Sequence, residues 1–128
     1  MAPTPKELVD AARKQITEVS PEQAQQRVEA GAIALDVREA EELAEGHIPD
    51  ATHIPRGFLE FKASDHEALK SRDTPICVYC MGGGRAALAA QTLKQLGYTN
   101  VVSIQGGFEG WKKAELPMQV PAKDEEEE

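Results

Sequence analysis

"PICVYCMGGGRAALAAQTLKQLG", residues 75–97, is the stretch on which the fold turns. Its first six residues are the most strand-like run in the chain, rich in β-branched and aromatic side chains. From about Ala86, alanine and leucine at helix-forming density predict a helix that Gly97 stops. Between strand and helix stand Met81, three glycines and Arg85. A thiol, Cys80, falls where the strand should end.

Glycine has no Cβ, so Gly82, Gly83 and Gly84 can turn successive backbone N–H groups toward one point, an anion-binding nest at a helix N-terminus. The atom at that point would be the sulfur of Cys80. The N–H donors, the helix dipole and nearby Arg85 would all stabilise a thiolate there, making a nucleophile that needs no partner base. A glycine-rich turn beside an inert cysteine would explain neither the glycines nor the arginine. Cys77, three residues earlier, should point to the opposite face of the sheet and serve packing. A thioredoxin-like redox pair would need both thiols at the mouth of the helix.

Outward from this segment the chain alternates strands and helices. Thr4, Pro5 and Glu7 make a capping box that predicts a helix from about Pro5 to Lys14, and Ser20, Pro21 and Gln23 repeat the signature before a second helix closed by Gly31. "ITEV", "AIALDV", "ATHIP" and "NVVSI" read as strands. "REAEELAEG" reads as a short helix stopped by Gly46, "LEFKASDHEALKS" as one or two short helical pieces, and "GGFEGWKKAEL" as a last short helix. Such alternation predicts an α/β fold, a five-stranded, mainly parallel sheet flanked by helices on both faces. Ligands of open α/β sheets bind beyond the C-terminal ends of the strands, where Cys80 lies.

A length of 128 residues suits one domain. With 41% hydrophobic and 28% charged residues, the composition is that of an ordinary globular protein. The net charge of −8 argues against a nucleic-acid partner, although five of those charges sit in the last five residues, "DEEEE", leaving −3 for the remainder. The like-charged end is expected to be a solvated tail that aids solubility. No apolar run is long enough to cross a bilayer, and Lys6, Glu7, Asp10 and Arg13 interrupt the only apolar stretch near the N-terminus, so a cytoplasmic protein without membrane contact is expected. A lone C-x-x-C supplies half a zinc site at best, and no metal is expected.

Three ordered motifs resemble those of the rhodanese-like family. The loop matches through Cys80, Gly83 and Arg85, although Ala86 stands where the family often has serine. "LDVREAEELAEGHIPDATHIP", residues 35–55, resembles the upstream signature through Asp36, Arg38, Glu42, Gly46, His47, Ile48, Ala51, Ile54 and Pro55. "GGFEGWKKAELPM", residues 106–118, resembles the downstream one through Gly106, Gly107, Trp111, Leu116 and Pro117. The similarity covers about residues 16–118, with a helical extension over 1–15 before it and an acidic tail over 119–128 after it.

The resemblance implies a sulfurtransferase without metal or organic cofactor, whose loop cysteine takes sulfur from a small anionic donor such as thiosulfate or a persulfide and passes it to cyanide or a thiol, with a sulfur-relay protein as a candidate partner. Cys80 would be catalytic, and Met81, Gly82, Gly83, Gly84 and Arg85 would bind substrate. Arg56 would lie at the pocket rim to steer the donor, or else be an ordinary surface arginine. His47 is read as structural rather than as a general base, and Asp36 with Arg38 as a structural ion pair. Phe58, Leu59 and Phe61 are read as core packing in preference to a pocket wall, and Trp111 as a core anchor. The alternatives are a non-enzymatic sulfur carrier or protein-binding module, and a phosphatase or arsenate reductase, which also use a Cys-Arg loop.

Overall fold

The computed structural model describes residues 2–121. Helix α1, Pro5–Arg13, begins at Thr4, whose hydroxyl accepts the Glu7 N–H at 3.1 Å while the Glu7 carboxylate accepts the Thr4 N–H at 2.7 Å. Strand β1, Thr17–Val19, leads into α2, Pro21–Glu29, where Ser20 and Gln23 repeat the exchange. Each box satisfies N–H groups that a helix start leaves without partners. Both helices stand where the sequence predicts them, α1 one residue shorter at its end.

Strands β2 (Ile33–Asp36), β3 (Thr52–His53), β4 (Ile76–Tyr79) and β5 (Val101–Ile104) complete a sheet of order β1-β5-β4-β2-β3, and every neighbouring pair is parallel. From β2 the chain moves outward to β3, and from β4 it moves the other way to β5. The switch point therefore lies between β2 and β4, and Cys80 follows the C-terminal end of β4 at its crevice.

Helices α3 (Leu59–Lys62) and α4 (Gly84–Gln95) cover one face together with α1, while α2 and α5 (Gly107–Lys113) cover the other. Cys80 belongs to the first apolar cluster, with Leu35, Val37, Val78 and Leu93; Cys77 belongs to the second, with Val19, Tyr79, Phe108 and Trp111. The period-two alternation of a strand thus separates the two thiols. Trp111 anchors α5 in the second cluster and donates its indole N–H to the Pro117 carbonyl at 2.7 Å.

Three local readings change. The 40–45 segment is a 3-10 helix, Ala40–Glu45, because the buried Arg38 guanidinium donates to the Glu42 and Gly46 carbonyls at 3.4 and 2.8 Å and fixes the turn around itself. Helix α4 starts at Gly84, ahead of Ala86, since Gly83 at φ +113° turns the chain directly into it. Phe58 and Phe61 are exposed, at 52% and 78%, whereas Leu59 is buried. Leu59 and Ala63, four apart, share the inward face of the short helical segment, which turns both phenylalanines outward. The Lys62 ammonium lies over the Phe58 ring, 5.1 Å from its centre.

The tail expected from residue 119 begins with a residue that is tied in: Gln119 and His47 exchange two backbone hydrogen bonds of 2.8 Å in an antiparallel bridge. The acidic run 124–128 lies outside the described residues. Among the described residues, no helix is long and apolar enough to cross a membrane.

Candidate active site

Cys80 is the first residue past β4 and is buried, 1% exposed. Its Sγ accepts the Gly83 N–H at 3.0 Å and the Ala86 N–H at 3.4 Å, so the loop does curl around the sulfur at the mouth of α4. Of the three glycine N–H groups expected to face the sulfur, only that of Gly83 forms a hydrogen bond with it, and the second donor, Ala86, comes from the first turn of α4. The Met81 side chain turns away and packs on the second apolar cluster.

What holds the loop comes from the far end of the chain. The N–H groups of Phe108 and Glu109, in the first turn of α5, donate to the carbonyls of Cys80 and Met81 at 2.8 and 3.1 Å. The approach is so close that a Cβ on Gly107, whose φ is +57°, would stand 2.5 Å from the Cys80 carbonyl oxygen and 2.6 Å from that of Met81. Sequence reading placed Gly106 and Gly107 in a motif but missed that they clamp the cysteine loop. The paired glycines ahead of a short helix were the available signal.

Arg85 does not reach the sulfur by a hydrogen bond. Its two terminal nitrogens bind the two carboxylate oxygens of Glu42 at 2.7 and 2.9 Å, across 43 residues of sequence. Arg85 holds the Glu42 carboxyl down at about 2, and Glu42 in turn raises the Arg85 guanidinium. The charge-assisted fork fixes the first turn of α4 against the 40–45 turn.

That turn is itself organised by Arg38 and Asp36, both fully buried. The Arg38 Nε and Nη2 donate to Asp36 at 3.0 and 2.8 Å, and its guanidinium lies over the Phe108 ring, 4.6 Å from the ring centre. Burial works against the charge of Arg38, but the Asp36 carboxylate outweighs it and the guanidinium is raised overall. His53 binds the Arg38 carbonyl through Nε2 at 2.7 Å. The pair belongs to the framework, as read, with Phe108 as an unforeseen member. Removing either charge alone would strand the other in a dry interior, at a cost of about 3–5 kcal/mol.

Other candidates stand apart. Arg56 turns to Glu60, with both carboxylate oxygens 3.1 Å from Nη1, and to Thr92, 3.1 Å from Nη2. Thr92 lies seven residues past Arg85, roughly 10 Å along α4, so Arg56 is not brought to the loop. The ring of His47 binds the neighbouring Ile48 carbonyl at 2.9 Å, which is a structural role. The Cys77 thiol is pushed up to about 11 by burial and stays inert, 4.0 Å from the Ala24 carbonyl. Among the described residues no three His, Cys, Asp or Glu side chains converge as a metal site requires. The clefts of about 340 Å³ beside α2 and about 200 Å³ between α2 and Trp111 both lie away from Cys80.

A parallel α/β sheet with a cysteine loop at its switch point, closed by an arginine on the following helix, defines a class of cysteine-loop domains. The family model described as rhodanese-like domain matches residues 20–114, and the chain belongs to that family. It is 39% identical over 102 residues to the thiosulfate sulfurtransferase GlpE of Haemophilus influenzae, covering 79% of this chain and 92% of that protein. Among solved structures, a Rhodopseudomonas palustris protein of unknown function, described as a possible tyrosine phosphatase, superposes with a TM-score of 0.85 at 29% identity over 93% of this chain and 96% of its own. The polysulfide-sulfur transferase homodimer of Wolinella succinogenes superposes with a TM-score of 0.76 at 29% identity, over 91% and 88% of the two chains.

Proposed function

We propose that the protein is a rhodanese-type sulfurtransferase that carries sulfane sulfur on Cys80, from thiosulfate or a persulfide to cyanide or a thiol. The observation that carries this reading is the Cys80 sulfur held under the Gly83 and Ala86 N–H groups at the mouth of α4. The likeness to thiosulfate sulfurtransferases supports the reaction class. In the first half-reaction the Cys80 thiolate attacks the outer sulfur of thiosulfate. A new S–S bond forms at Sγ, the S–S bond of thiosulfate breaks, and its electron pair leaves with sulfite. In the second, cyanide attacks the outer sulfur of the persulfide, thiocyanate departs, and the thiolate is regenerated. Negative charge sits on sulfur before and after each step, so the same fixed N–H donors serve both halves of a ping-pong cycle. The proposed compartment is the cytoplasm.

The description of the Rhodopseudomonas relative favours a second reading, phosphoryl chemistry at the same cysteine. Four residues separate Cys80 from Arg85, one fewer than in cysteine phosphatases, and the shorter ring offers fewer N–H donors for three phosphoryl oxygens. Glu42 also occupies the Arg85 fork that would bind them. A non-enzymatic sulfur carrier would load sulfur without turning over, and a protein-binding module would do neither.

Intact mass after incubation with thiosulfate separates the three. A sulfurtransferase gains one sulfur atom at Cys80, loses it to cyanide, and turns over with both reagents while leaving aryl phosphates untouched. Loading without turnover would mark a carrier, and aryl phosphate hydrolysis that disappears in Cys80→Ser would mark a phosphatase.

A further inference from the structure

Arg13 closes α1, in the segment ahead of the residues that the family model matches. Its Nε lies 3.4 Å from a carboxylate oxygen of Glu18 on β1. Its Nη2 lies on the cysteine loop: it stands 3.2 Å from the position a Cβ on Gly83 would take, with the Gly106 nitrogen 4.0 Å from the same point. Gly83 is the residue whose N–H binds the Cys80 sulfur. Standard backbone dimensions then put this guanidinium within roughly 9 Å of that sulfur. The side chain is 40% exposed, and among the described residues Nη1 and Nη2 meet no hydrogen-bond acceptor.

A thiosulfate dianion buries one sulfur against the thiolate and leaves a trigonal face of three oxygens to be neutralised. The arginines that sequence reading assigned to this task are engaged elsewhere. Arg85 is forked onto Glu42, and Arg56 is committed to Glu60 and Thr92. Arg38 is sealed in the interior against Asp36. Arg13 combines proximity to the loop, solvent access and an open edge of two N–H-bearing nitrogens, the geometry that suits an oxyanion.

Resting on the sulfurtransferase reading, we propose that Arg13 binds the oxyanion end of the sulfur donor and sets the preference for anionic donors, a specificity residue supplied by the N-terminal helix. Glu18, sharing the guanidinium, competes with the donor and tempers the affinity.

Steady-state kinetics of the full chain, varying thiosulfate at saturating cyanide, tests this. Arg13→Gln should raise the KM for thiosulfate about tenfold with kcat changed less than twofold. Arg13→Lys should recover part of the loss, and Glu18→Gln should lower KM two- to threefold. Discharge of the preformed persulfide by cyanide, which involves no oxyanion donor, should proceed at the wild-type rate in all three. Val9→Ala loosens the α1 contact beside Gly84 without touching charge and should leave KM unaltered. A folded Arg13→Gln protein with wild-type KM, or a Val9→Ala protein as impaired as Arg13→Gln, would overturn the assignment while leaving the sulfurtransferase reading intact. Failure of the wild-type protein to turn over thiosulfate would overturn that reading and the role of Arg13 with it.

Discussion

The two cysteines show how one residue's surroundings decide its chemistry. Cys80 sits among N–H donors and Cys77 among apolar side chains, three residues away. Cys80→Ser should abolish both sulfur loading and turnover. Cys77→Ser should keep turnover and lose about 1–2 kcal/mol of stability, because a hydroxyl enters a site with one distant carbonyl as partner; chemical denaturation and the cyanide assay check both. Glu42 carries a pH signature. Its carboxyl is lowered from 4.5 to about 2 by the Arg85 fork, so its contribution to stability is present in full above pH 4.5 and lost as pH falls toward 2. Glu42→Gln should therefore be less stable than wild type by about 1–2 kcal/mol at neutral pH, discounted because the pair is partly solvated. The two melting curves should converge between about pH 4.5 and pH 2. A gap that stayed constant across that range would show that the stability difference does not come from the charge of the Glu42 carboxylate.

Among the elements, α5 matters more to the site than its length suggests. Its first turn holds the carbonyls of Cys80 and Met81, while the nitrogens of Gly83 and Ala86 hold the sulfur, so the loop is gripped from two helices at once. Gly107 is the position where the grip admits no side chain. Gly107→Ala would place a methyl 2.5 Å from a backbone oxygen at a φ of +57°, and neither backbone can move without breaking the hydrogen bonds that define the loop. The expected outcome is a loss of about 2–4 kcal/mol in denaturant unfolding, with a fall in thiosulfate turnover larger than any loss of folded protein explains. Gly31→Ala serves as comparison. Its added Cβ meets nothing within 4 Å, so strain from its positive φ alone should cost less and leave turnover intact.

Over the whole molecule, net negative charge is concentrated at one end of the sequence. Five of the eight net negative charges belong to residues 124–128, and their removal leaves a chain of net −3. The donor is an anion, so long-range repulsion from this end would slow its approach if it were felt at the loop. At 0.15 M salt, screening over roughly 8 Å should suppress it. A chain ending at residue 123 should match the full chain in melting temperature and in kcat/KM for thiosulfate at that ionic strength. A rate increase that persists at high salt would instead assign the acidic end an inhibitory contact with the site.

The sequence by itself determined the order of strands and helices, both capping boxes, the placing of Cys77 and Cys80 on opposite faces of the sheet, and the Gly83 N–H beneath the sulfur. Each of these is written in neighbouring residues: a cap in a span of four, a strand in its alternation, a sharp turn in consecutive glycines. Only the tertiary structure decided which charges meet. Glu42 claims Arg85 across 43 residues, Thr92 and Glu60 hold Arg56 away from the loop, and α1 lays Arg13 against Gly83. It also decided that Phe58 and Phe61 face outward and that α5 grips the loop. Local pattern names the residue types available to a site, but electrostatic pairing and steric clearance depend on distances in space, and those exist only once the sheet has brought remote segments together.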